Sequence, residues 1–209
     1  MPTTREEHIT YTRNELNNYR YYIDVFNILK NENINSYIDI GANVGEFCNV
    51  ITEKLPTLKK SFLFEPEVNN FNFLKKNINP KLDVQLFNYA IGYGFKNPIL
   101  NNNSNVGGFF ITEGHTNSNI IVKSLEELNL PDVDLIKMDI EGGEFNVIEN
   151  SSYLKKIKLL EIEFHQTPKQ VEGGFIPNYL KVNLPNYELL TFDTNTQNLY
   201  GRCLLKKIN

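Results

Sequence analysis

The stretch "YIDIGANVGEF", residues 37–47, decides how the chain is read. A short apolar run carrying one acid, Asp39, meets a turn with two glycines, Gly41 and Gly45. Glu46 and Phe47 then open a helical pattern. This is the pattern of a buried strand passing into a helix through a nucleotide-binding loop. Without a Cβ, Gly41 permits a tight turn and close approach of the backbone to a ligand. A plain strand-to-helix turn often carries one glycine. Two glycines, followed by an acid at the end of the next strand, favour a binding loop.

The same alternation continues outward. "SFLFEP" is a second strand, stopped at Pro66, and "DVQLFNYAIG" a third. "DLIKMDI" and "IKLLEIEFH" are the fourth and fifth, and "YELLTFD" and "LYGRCLLKK" close the chain as two more. Helical spacing fills the gaps: "GEFCNVITEKL", "EVNNFNFLKKNI" with Phe71, Leu74 and Ile78 in register, "VKSLEELNL", "EGGEFNVIENSSYL" and "PNYLKVNL". Upstream, residues 5–34 space Ile9, Tyr19, Tyr22, Ile23, Phe26, Ile28 and Leu29 as a helical extension. With no repeat and no linker, the expectation is one domain over 1–209, with 1–34 as an N-terminal helical extension and 35–209 as the catalytic core. Strands alternating with helices predict an α/β fold: a parallel sheet with helices on both faces, its ligand at the carboxyl ends of the strands. The residues of interest all fall at such ends: Asp39 to Gly45, Glu65, Asn88 to Ala90, Asp139 to Glu141, and Glu163 to His165.

Bulk properties narrow the classes. A chain of 209 residues with formal charge -4 and a pI of about 5.5 lacks the basic face of a nucleic-acid binder. Cys48 and Cys203 form no metal spacing and read as free thiols of a reducing compartment. The polar start "MPTTREEHIT" is unlike a signal peptide, and no apolar run approaches the ~20 residues of a membrane span. The expected location is cytoplasmic.

Glu65 stands at roughly the 20-residue offset of a ribose-binding acid. NAD is the obvious ligand to test against this loop. In the G-x-G-x-x-G register the chain offers Gly41, Asn43 and Glu46, so the second and third glycines are missing. Glu46 would also set a negative charge near a pyrophosphate resting on the helix N-terminus. An adenosine ligand without phosphate avoids that conflict. S-adenosylmethionine is one, and its positive sulfonium suits Asp39, Glu46 and Glu65.

Taken in order, "YIDIGANVGEF", "FLFEPEVNNFNFLKKNI", "NYAIG", "VKSLEEL" and "DLIKMDIEGGEFNVIENSSYL" resemble the FkbM-type methyltransferases, from about residue 35 to about residue 165. "MDIEGGE" is the most specific segment. The resemblance implies a Rossmann-like class I methyltransferase fold: a mostly parallel seven-stranded sheet with helices on both faces and an antiparallel C-terminal strand. It implies that Asp39, Gly41, Asn43 and Gly45 hold the methionine and sulfonium side, that Glu65 holds the ribose, and that Asn88, Tyr89 and Ala90 border the adenine. It also implies O-methyl transfer to a sugar or glycan hydroxyl, as on a deoxyhexose such as rhamnose or fucose. A glycosyltransferase partner would be natural for such an enzyme. An NAD-dependent oxidoreductase and a non-catalytic nucleotide-fold module are the competing classes.

Transfer to an alcohol demands alignment and removal of the hydroxyl proton. Asp139 sits at the end of the fourth strand. Glu163 and His165 alternate on the fifth and share a face. His165 is a candidate general base near neutral pH. Alternatively, Asp139, Glu163 and His165 form a site for a divalent cation, Mg²⁺ or Mn²⁺. Lys137, two residues before Asp139, could pair with a carboxylate or orient substrate. Glu141 and Glu144 have a simpler reading as caps of the next helix. "NSNVGGFFITEGHTNSN" reads as a flap with Phe109 or Phe110 able to stack on a sugar, and His115 within it as incidental. The N-terminal tyrosines, Tyr11, Tyr19, Tyr21 and Tyr22, suit packing on the sheet, covering the substrate or forming a homodimer.

Overall fold

The computed structural model describes residues 2–80, 83–102, 108–114, 120–165, 175–195 and 200–208. Two helices, α1 (Arg5–Asn18) and α2 (Arg20–Leu29), precede β1 (Ser36–Ile40), α3 (Glu46–Lys54), β2 (Lys60–Phe64), α4 (Val68–Asn77) and β3 (Asp83–Phe87). Short strands follow: β4 (Ala90–Ile91), β5 (Pro98–Asn102), β6 (Phe109–Glu113) and β7 (Val122–Lys123). Then come β8 (Leu135–Met138), α5 (Glu144–Asn150), β9 (Leu159–His165), α6 (Phe175–Asn183), β10 (Tyr187–Asn195) and β11 (Tyr200–Lys207).

Seven strands form one sheet in the order β10-β11-β9-β8-β1-β2-β3. β11 is antiparallel to both its neighbours, and the other paired strands run parallel. The strand order reverses at β1, which lies between β2 and β8, so a crevice opens at their carboxyl ends. Period-two alternation divides each strand between two cores. Ile38, Ile136 and Leu160 pack toward α5 and α6, whereas Tyr37, Leu135 and Leu159 pack toward α2 and α3. The expected sheet and its two helical layers are therefore present.

Three local expectations change. The N-terminal extension is two helices, broken at Tyr19, which is extended at φ -77°, ψ 130°. Asn17 and Asn18 precede the break, and their side-chain amides donate back to Arg13 and Asn14 carbonyls. Such local competition disfavours a continuous helix. The third strand stops at Phe87 because Asn88 turns in and donates to the carbonyls of Glu65 and Pro66, at 2.8 and 3.0 Å. Ala90–Ile91 then pairs with Val122–Lys123 outside the main sheet. "VKSLEELNL" is accordingly that strand plus one 3-10 turn, Glu126–Leu128.

Candidate active site

The carboxyl ends of β1, β2, β8 and β9 open into one cleft of about 720 Å³, a size typical of small-molecule sites. At its centre the loop after β1 is seated on the end of β8. Gly41 has φ +85°, and a Cβ there would lie 1.8 Å from the carbonyl oxygen of Asp139. From behind, the Lys137 ammonium donates to the Gly41 carbonyl at 3.0 Å and pairs with Asp39 at 3.2 Å and Asp139 at 3.7 Å. Burial opposes the Lys137 charge, but Asp39, Asp139 and Glu161 outweigh it and raise its pKa. Asp39 is wholly buried. It serves the loop through Lys137 and is absent from the cleft lining, as are Gly45 and Asn88. Gly45 is needed for packing, since a Cβ would meet Leu74 at 2.5 Å.

Glu65 ends β2 with its carboxylate in the cleft wall. Oε2 accepts from the Asn43 amide and Oε1 from the Glu67 amide, both at 2.8 Å. Burial raises its pKa to about 7, against the lowering effect of those two amides. Asn43 adopts the left-handed conformation (φ 49°) that delivers its N–H to the acid. Tyr89 and Ala90 line the same half of the cleft.

The other half is charged. Glu144 is buried at the start of α5, and its carboxylate accepts from the amides of Ile140 and Gly142, each at 3.0 Å. That carboxylate also lies 3.2 Å from His165 Nδ1, while His165 Nε2 faces Glu141 at 3.4 Å and Glu163 at 3.9 Å. Burial works against the imidazolium, but the Glu144 hydrogen bond and the charges of Glu144, Asp139 and Glu141 raise its pKa to about 10. Both nitrogens of His165 are turned to carboxylates, which favour its charged form.

The cation site drawn from sequence is rearranged. Glu163 is held by Arg202, with Nε–Oε2 at 2.7 Å and Nη2–Oε1 at 3.3 Å. Glu141 takes its place beside Asp139 and His165, with donor atoms within 4.8 Å of one another. A divalent cation needs a neutral imidazole. As arranged, the set suits the imidazolium of His165 or, with that proton displaced, a divalent cation.

The Methyltransferase FkbM domain model matches residues 39–189. This chain belongs to the FkbM methyltransferase family. No curated protein matches it. Among solved structures, the fold resembles methyltransferase FkbM from Methylobacillus flagellatus KT at 18% identity and a TM-score of 0.55, covering 83% of this chain and 44% of that one. The chain thus spans less than half the length of that protein. It also resembles Trm1 from Pyrococcus horikoshii in complex with S-adenosyl-L-methionine, at 10% identity and TM-score 0.53, covering 89% and 53% of the two chains. A third likeness is TrmK from M. capricolum in complex with S-adenosyl-homocysteine, at 12% identity and TM-score 0.52, covering 88% and 67%. These likenesses show the class I methyltransferase fold.

Part of the cleft of this FkbM methyltransferase lies outside the family match. Helix α1 crosses the mouth, presenting His8, Tyr11, Thr12 and Glu15 to it. The spacing i, i+3, i+4, i+7 is one helical face; the helix was legible in sequence but not which face it turned inward. Arg13 of α1 pairs with Glu46 and with Glu53. This corrects the role given to Glu46, whose charge meets a guanidinium and is not a bare repulsion against a pyrophosphate. Arg202 of β11, also outside the match, is 5% exposed, and Glu15 holds it at 2.7 Å. From the β5–β6 hairpin, Phe109 and Ile111 line the cleft and Phe110 does not. His115 lies outside the described residues. Among the described residues, no helix is long and apolar enough to cross a membrane.

Proposed function

We propose that this FkbM domain transfers a methyl group from S-adenosylmethionine to a hydroxyl of a sugar or glycan. One observation carries the reading: a single cleft joins the Glu65 wall to the charged cluster around Asp139. The residues present fit the methyl donor. Glu65 is an acceptor for ribose hydroxyls, Phe64, Tyr89 and Ala90 offer an apolar face to adenine, and the loop at Gly41 to Asn43 borders the methionine side. When bound, that cofactor supplies an electrophilic methyl group on a sulfonium.

The chain's own residues supply position and charge. Asp139, with its side chain 34% exposed, faces the cleft beside the β1 loop and is suited to orient the acceptor hydroxyl. His165, held between Glu144 and Glu141, pins the Glu141 turn. Glu163 acts through Arg202, fixing the acceptor-side wall. Tyr11, Phe109 and Tyr200 line the cleft and suit a sugar's C–H face. Glu15, Glu46, Glu65, Asp139, Glu141 and Glu163 line the cleft against Lys137 and Arg202, a balance that disfavours a phosphodiester acceptor. The whole chain, 1–209, acts as one catalytic unit in this reading, because α1 and β11 complete the cleft. The test is incubation of the purified protein with S-adenosylmethionine and a panel of methyl glycosides, including rhamnosides and fucosides, read by mass spectrometry. Methyl ether formation on a glycoside is expected. Methylation of nucleic acid and of no sugar would overturn the acceptor class.

A further inference from the structure

We propose that Asp139, Glu141 and His165 bind a divalent cation in the cleft, in a catalytic role that rests on the hydroxyl-methylating reading of that cleft. One ligand atom from each of the three lies within 4.8 Å of the other two. They come from separate parts of the fold: Asp139 follows β8, Glu141 stands in the turn before α5 and His165 ends β9. All three line the cleft, with side chains 34%, 27% and 26% exposed, so an ion and a substrate oxygen can reach them.

His165 is oriented by a group outside this set. Glu144 is fully buried and absent from the cleft lining, and it lies 3.2 Å from Nδ1. The amides of Ile140 and Gly142 fix its carboxylate, each at 3.0 Å. Nε2 is thereby turned toward the other two ligands, 3.4 Å from Glu141. A carboxylate behind the imidazole is the usual outer partner of a metal-ligating histidine, because it fixes the ring and the tautomer.

The two carboxylates of the set are loosely answered by the protein. Among the described residues, Asp139 pairs with Lys137 alone, at 3.7 Å, and Lys137 stands closer to Asp39, at 3.2 Å. Glu141 pairs with His165 alone. The neighbouring acids differ: Glu163 takes two bonds from Arg202, and Glu144 is held by backbone amides. Two carboxylates and an imidazole, open on the cleft side, suit a first-row divalent cation such as Mn²⁺ better than Mg²⁺, which prefers oxygen ligands.

Asp139 also seats the Gly41 loop against its carbonyl, so the site adjoins the loop assigned to the methyl donor. A cation there makes a hydroxyl set against it more acidic. In the transfer, that hydroxyl gives its proton to water and its oxygen bonds to the methyl carbon. The carbon–sulfur bond breaks, leaving its electron pair on sulfur.

The test starts from purified protein stripped with EDTA and dialysed. Mn²⁺ binding is followed by electron paramagnetic resonance for wild type, Glu141→Gln, His165→Gln and Glu163→Gln, with circular dichroism to confirm that each is folded. Glu141→Gln, isosteric and part-exposed, is the deciding variant. Methyl transfer to methyl α-rhamnoside and methyl α-fucoside is run in EDTA and in Mn²⁺. Expected are a single saturable site, an affinity weakened at least about tenfold in Glu141→Gln and His165→Gln, little change in Glu163→Gln, and transfer that stops in EDTA and returns with Mn²⁺. Absence of saturable binding to wild type, or a loss in Glu163→Gln as large as in Glu141→Gln, would overturn the ligand set. Undiminished transfer in EDTA would overturn the catalytic role and leave the sugar methyltransferase reading standing. Mn²⁺ bound as expected, with no transfer to either glycoside, would uphold the ion site and defeat the sugar reading.

Discussion

The backbone amide of Asn43 donates to Oε2 of Glu65 at 2.8 Å, so the loop after β1 and the end of β2 form one unit. A ligand hydroxyl that hydrogen-bonds to Glu65 competes with a proton on the same group, whose pKa is about 7. Affinity for S-adenosylhomocysteine should therefore weaken as pH falls below 7, by up to about tenfold per unit. Calorimetry at a series of pH values checks this, and Glu65→Gln should remove the dependence.

The contact between Gly41 and the Asp139 carbonyl leaves no room for a methyl group, and φ +85° is strained for any L residue. Gly41→Ala should cost at least about 2 kcal/mol in urea unfolding. It should also weaken cofactor binding, because the loop must lift from β8. A variant as stable as wild type would contradict the seating of the loop.

Arg202 answers the buried Glu163 and stacks among Tyr19, Tyr22 and Tyr200. Arg202→Met removes the partner and leaves the carboxylate in place. A loss of about 3–5 kcal/mol is expected by chemical denaturation. The double variant Arg202→Met/Glu163→Leu should recover part of it.

His165 gains stability from its charged form. Its pKa rises from 6.5 unfolded to about 10 folded, so the contribution is complete below pH 6.5 and is lost between pH 6.5 and 10. The melting temperature should fall across that window by roughly 5 °C, as about 1–2 kcal/mol would give in a domain of this length. His165→Gln should flatten the curve. Thermal scans in chelator-containing buffers measure it.

The sheet was legible because β1, β2, β8 and β9 are apolar runs with a polar residue at the carboxyl end, and strand ends in such sheets converge on the ligand. Glu65 and Asp139 follow from that rule alone. What escaped is set by contacts distant in sequence. Nothing near Glu46 announces Arg13, 33 residues away. Nothing in "EIEFH" tells that Glu163 faces a guanidinium from β11 while Glu141 approaches His165. Asp39 reads as a ligand contact but is drawn under the loop by Lys137. The inward face of α1 was hidden because that helix has no marked apolar stripe, with only Leu16 of its residues buried.

The central claim is that the Glu65 cleft holds an adenosine cofactor of methyl transfer. Titration calorimetry of wild type and Glu65→Ala with S-adenosylhomocysteine, and separately with NAD, tests it most directly. The account predicts micromolar binding of S-adenosylhomocysteine to wild type, a weakening of about 10–100-fold in Glu65→Ala, and no comparable NAD binding. Tight NAD binding, or S-adenosylhomocysteine affinity indifferent to Glu65, would contradict it.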